Sequence, residues 1–102
     1  MIVYHRTSHA EAIERNGFRD GKGAYMTDRL DWRGVWVADE PLEEQAGAHG
    51  DHVIALEIPE ALFDENEWVE DGKSYRESLI PAKALNAHLR SARVLPEAEA
   101  EG

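Results

Sequence analysis

The apolar runs of this chain are short and many are bounded on one side by a glycine or a proline, a punctuation that suits short elements. Pro41, Pro59, Pro81 and Pro96 share the role with Gly17, Gly23, Gly34, Gly47 and Gly72. Proline removes a backbone donor and glycine favours turns and helix ends, so neither continues a regular element. Ile2-Val3-Tyr4 is a short β-type run. Ser8 followed by Glu11 has the spacing of a capping box for a helix over 9–16, closed by Gly17. Ala24-Tyr25-Met26-Thr27 and Val35-Trp36-Val37-Ala38 are predicted to be extended, each entered from a glycine. Pro41 in a first turn suits a short helix over 42–46. Residues 52–58 are β-rich and stop at Pro59, with one helical turn predicted over 60–63. Asp71-Gly72-Lys73 is a turn signal between Glu67-Trp68-Val69 and the run 75–80, which predicts a hairpin-like bend. A turn at 83–86 leads to a last strand over 88–95, and 96–102 reads as a disordered acidic tail. The pattern predicts an α+β domain over 1–95, with six or seven short strands and one or two short helices.

At 102 residues the chain holds one modest core, so any site must share the sheet that holds the fold together. It has no cysteine, which excludes disulfides, thiolate metal sites and cysteine nucleophiles. No run approaches the ~18 apolar residues of a membrane span, and a cytoplasmic protein with no membrane partner is expected. The formal charge is −10, from 21 acids against 11 bases, and −7 remains when the glutamates at 97, 99 and 101 are set aside. The bases are dispersed singly, without the clustering that releases phosphate counterions, so nucleic acid is a disfavoured partner. A basic partner protein suits the charge better.

Four scattered side chains carry the chemistry: His5 ending the first apolar run, Tyr25 and Trp36 eleven residues apart, and Glu77 opening a late run. A histidine to orient a ribose, two aromatic faces for a flat ring and a carboxylate beside an oxocarbenium-like centre are what cleavage of NAD⁺ at its glycosidic bond requires. Each signal has a plain structural counterpart, since aromatics fill short strands and a glutamate on the outer side of a strand is a surface acid. Which side Glu77 takes is not readable from the run itself.

At these residues the chain resembles the ADP-ribosyltransferase superfamily, in the His-Tyr-Glu branch of diphtheria toxin and the poly(ADP-ribose) polymerases. Tyr4-His5-Arg6-Thr7-Ser8 is similar to that branch's strand ending in His-Gly-Ser/Thr, and a helix ending in Gly17-Phe18 follows. Gly21-Lys22-Gly23-Ala24-Tyr25-Met26-Thr27-Asp28 is similar to the polymerases' Gly-Lys-Gly-Ile-Tyr-Phe-Ala-Asp. Trp36 falls where the family places the partner ring of the nicotinamide sandwich, and Arg76-Glu77-Ser78-Leu79-Ile80 is similar to its third motif.

The resemblance implies a small split β-sheet fold of two packed sheets, and NAD⁺ as substrate in transfer or hydrolysis. It implies that Glu77 accepts a hydrogen bond from the 2′-OH and that His5 binds the adenosine-side ribose. Thr7 or Ser8 would contact the nicotinamide amide or its ribose, Arg6 would offer its backbone to the carboxamide, and Tyr25 and Trp36 would stack on the ring. The chain departs from the family in having Arg6 for glycine, Trp36 for tyrosine and a shorter segment between His5 and Tyr25. The acceptor is open between protein, nucleic acid and water, and an antitoxin is a partner by analogy only. A non-catalytic acidic module binding ADP-ribose, a nucleotide or a basic protein is the alternative.

Other chemistries find less support. His5 with His9 and His49 with His52 lack a cysteine or a His-Glu-x-x-His frame, so no metal site is predicted. Gly21-Lys22-Gly23 is too short for a phosphate loop, and no Gly-x-Ser-x-Gly elbow occurs. Phosphotransfer would need converging arginines, whereas Arg6, Arg29, Arg33, Arg76, Arg90 and Arg93 show no clustered spacing.

Overall fold

The computed structural model describes residues 1–19, 21–24, 31–41 and 52–96. In chain order the elements are β1 (Ile2–Thr7), α1 (Ala10–Asn16), β2 (Gly21–Ala24), β3 (Asp31–Ala38) and β4 (His52–Glu57). There follow α2 (Glu60–Glu65), β5 (Glu67–Trp68), β6 (Glu77–Ile80), α3 (Ala82–His88) and β7 (Ser91–Val94). The result is an α+β fold with short strands, as the punctuation predicts. The strands join in one connected sheet in the order β5-β6-β3-β1-β4-β7, with β2 paired to β3, rather than in two packed sheets. Every pairing is antiparallel.

Local chemistry explains most boundaries. Pro59 and Pro81 stand immediately before α2 and α3, where a missing amide hydrogen costs nothing. Gly72, with φ 85°, turns the chain between β5 and β6, so the predicted hairpin forms. The start of α1 differs from expectation. His9 is its N-cap and no side chain caps it; instead the His9 amide donates to Thr7 Oγ1 at 2.9 Å. Ser8 is exposed, so the predicted capping box does not form. The turn predicted at 83–86 is a full helix, α3, which shortens the last strand to four residues and brings the described helices to three. The helix predicted over 42–46 and the tail over 97–102 lie outside the described residues.

The strand alternation divides the sheet into two faces. Val3, Val35, Val37, Ile54, Leu56 and Ile80 point to one of them, where Ala10 of α1, Leu62 and Phe63 of α2, and Ala82 and Leu85 of α3 complete a single buried cluster. On the opposite face Tyr4, Val53, Ala55 and Leu95 make a smaller cluster. No described helix is long and apolar enough to cross a membrane.

β3 pairs with three strands, with β1 at Ala38 and with β2 and β6 along successive halves of its length. Its first half pairs with β2, from Asp31 opposite Ala24 to Gly34 opposite Gly21, and its second half pairs with β6 from Val35 opposite Ile80. The change falls at Gly34, whose φ is 148° and where a Cβ would stand 3.0 Å from both the Ile80 carbonyl oxygen and Leu79 Cδ1. Only glycine combines that backbone angle with that approach.

Candidate functional site

Glu77 opens β6 opposite Ala38 of β3 on one side and Trp68 of β5 on the other. The next residue, Ser78, is 0 % exposed and donates its hydroxyl to the Phe63 carbonyl at 3.0 Å on the helix-covered side. Side chains alternate along a strand, so Glu77 takes the opposite face together with Leu79, and Trp36, which is in register with Leu79, shares it. The face of Glu77, open in the sequence, is thus decided by its neighbours. Glu77 is not a freely solvated surface acid: its side chain is 13 % exposed and forms an ion pair with Lys73.

An aromatic wall stands beside the carboxylate. The Trp36 and Trp68 rings meet edge to face, with centroids 5.5 Å apart and planes at 77°. The Trp68 indole donates to Glu70 Oε1 at 2.8 Å, and the Lys73 ammonium lies 5.6 Å from the Tyr75 ring centre and 3.7 Å from Glu70. The loop between β5 and β6 therefore folds Lys73 back over Glu77. Trp68 and Lys73 carried no motif in the sequence; only the turn signal at Asp71-Gly72-Lys73 pointed to the segment that holds Lys73.

His5 lies on β1, the strand after β3 in sheet order, so Glu77, Trp36 and His5 occupy three neighbouring strands. β1 pairs with β4 over its whole length but registers with β3 only at Tyr4 opposite Ala38. Beyond that pair the His5 imidazole reaches the Trp36 carbonyl, with Nδ1 at 2.7 Å. A carbonyl oxygen only accepts, so Nδ1 carries the proton in this contact and Nε2 is the basic nitrogen of the neutral ring. Burial pushes the His5 pKa below its ordinary value, and the bond to Trp36 opposes that shift. The His5 ring packs edge to face on Phe18, with centroids 5.6 Å apart, and alternation with Val3 and Thr7 places it on the helix-covered side. His5 and Glu77 therefore approach Trp36 from opposite faces of the sheet, His5 through the backbone and Glu77 through the shared surface.

The remaining predicted residues divide. Thr7 is buried and its hydroxyl is engaged by the His9 amide. Arg6 is half-buried opposite Val53, and Ser8 is exposed beside the start of α1. Tyr25 lies outside the described residues. Among the described residues no three His, Asp or Glu side chains gather as a metal-binding group.

Two further features surround the site. A cavity of about 320 Å³ opens between α1, α3, β4 and β7, away from Glu77, and Phe18 forms part of its wall. Asn86 of α3 holds Phe18 by both backbone groups, accepting from its amide and donating to its carbonyl, each at 2.9 Å. On the same helix-covered face, at the other end of the sheet, Arg76 forms a fork with Glu67, Nε to Oε2 at 3.0 Å and Nη2 to Oε1 at 2.9 Å, and Nη2 also reaches Asp64 at 3.0 Å. That guanidinium holds the Glu67 carboxyl below the usual range.

Comparison with known proteins finds no match to this chain among protein-family models, curated proteins or solved structures.

Proposed function

We propose that this chain binds NAD⁺ against the face shared by Trp36, Trp68 and Glu77 and cleaves the nicotinamide–ribose bond, passing the ADP-ribosyl group to an acceptor or to water. The observation that carries the proposal is the Glu77 carboxylate, shielded from solvent beside two tryptophans and one strand removed from Trp36. In the reaction the C1′–N bond breaks and its electron pair leaves with nicotinamide. Positive charge spreads over C1′ and the ring oxygen, and Glu77 stabilises it by accepting a hydrogen bond from the 2′-OH. The incoming nucleophile forms the new bond at C1′ and releases its proton to solvent.

Charge stabilisation of this kind supplies the largest share of the rate, while stacking on Trp36 contributes on the order of 1 kcal/mol and mainly orients the ring. Lys73 pairs with the carboxylate that the ribose hydroxyl must reach, so substrate entry requires this ion pair to open or to accommodate a third member.

Two observations favour the second reading, a binding module without turnover. Glu77 is engaged by Lys73, and His5 directs its ring towards Phe18 instead of into the face of Glu77. Nicotinamide release from NAD⁺ separates the two readings. Turnover is expected, with a loss of about 10²–10³ in a folded Glu77→Gln variant. A thermal shift with NAD⁺ or ADP-ribose but no release selects the binding module. Absence of both release and a thermal shift overturns the NAD⁺ proposal.

A further inference from the structure

We propose that Arg76 is a positioning residue that holds the Glu77 end of β6 in the register its buried residues Ser78 and Ile80 set; this rests on the reading of Glu77 as the functional acid. β6 spans only Glu77–Ile80, and a slip of one residue in so short a strand would exchange its faces and bury Glu77 in the core. Arg76 is the residue immediately before it. The Arg76 amide donates to Asp39 Oδ1 at 3.0 Å, and its carbonyl accepts from the Asp39 amide at 3.0 Å, which continues the β3–β6 ladder one step past Ala38 and Glu77.

The side chain adds to that hold. Its fork grips Glu67, which is in register with Ser78 on β5, and a further bond reaches Asp64 of α2. The guanidinium carbon lies 5.0 Å from the centre of the Phe63 ring. All of these groups belong to the helix-covered side. With Arg76 held there, alternation sends Glu77 to the side of Trp36 and Trp68. The Arg76 side chain is 45 % exposed, and ion pairs that exposed add little stability. The arginine therefore matters for geometry more than for folding, and a chain lacking the fork should still fold.

The test uses the full chain and the variants Arg76→Gln, Arg76→Lys and Glu67→Gln, with the Glu77 side-chain ¹³C-carboxyl resonance assigned by Glu77→Gln. Arg76→Gln and Glu67→Gln are expected to shift that resonance and the indole N–H signals of Trp36 and Trp68, leaving β4 and β7 signals in place. Arg76→Lys, which keeps the charge and loses the fork, should fall between wild type and Arg76→Gln. Folded variants whose Glu77 and indole signals coincide with wild type overturn the proposal, and if Arg76→Gln does not fold, Glu67→Gln decides. Where wild type releases nicotinamide, Arg76→Gln should lower kcat by about tenfold or more with KM unchanged, and an unchanged kcat would count against the proposal. Absence of both release and an NAD⁺-induced thermal shift in wild type removes the functional reading, while the Glu77 resonance still decides the positioning role.

Discussion

The His5 imidazole loses more by burial than it regains from the Trp36 carbonyl, so its folded pKa lies below 6.5. The unfolded chain then binds more protons at mildly acidic pH. Stability is complete above the unfolded value and is lost as pH falls from there through the folded value, after which this contribution levels off. Urea unfolding between about pH 7.5 and 5 should show the loss, and His5→Gln should flatten it; an equal slope in the variant would refute the assignment. The depressed carboxyl of Glu67 acts in a lower window, because its stabilisation is lost only as pH falls through its own folded value. Glu77 shows how far a single residue can be read from sequence. Its position at the head of an apolar run marks it, but Tyr75, Leu79 and Ile80 give no consistent alternation, and its face follows from Ser78 and Ile80 packing into the helix-covered core.

Among the elements, β3 is the one on which the site depends, because it carries Trp36 and is in register with β6. Gly34 sits where its pairings with β2 and β6 meet. Gly34→Ala places a Cβ 3.0 Å from a backbone oxygen at a φ of 148°, and a loss of about 1–3 kcal/mol is expected in urea unfolding. An unchanged midpoint would mean that β3 can part from β6 at that point without cost. The sequence marks Gly34 as the entry to a strand over 35–38, whereas β3 starts at Asp31 and Gly34 lies inside it. The reason for a glycine there was not legible, since the crowding comes from residues 79 and 80, distant in sequence. The same limit applies to α1, where Ser8 and Glu11 have capping spacing but Thr7 makes the bond, and to α3, whose length comes from packing Ala82 and Leu85 into the core.

For the whole molecule, a charge of −10 on 102 residues produces self-repulsion. Raising salt from about 10 to 150 mM shortens the Debye length to about 8 Å and is expected to raise the melting temperature. A decrease would show instead that attractive pairs such as Arg76 with Glu67 and Lys73 with Glu77 outweigh the repulsion.

What the sequence by itself determined was the grain of this protein: short elements, an α+β class and a strongly acidic charge, with His5, Trp36 and Glu77 marked only as candidates. These follow from local rules, because backbone restriction, side-chain charge and turn preference act within a few positions. Only the tertiary structure decided that β6, β3 and β1 lie side by side, that Trp68 and Lys73 flank Glu77, and that His5 meets Trp36 through its carbonyl from the other face. Strand order and register join residues tens of positions apart, and the burial that selects them is a property of the assembled sheet rather than of any segment.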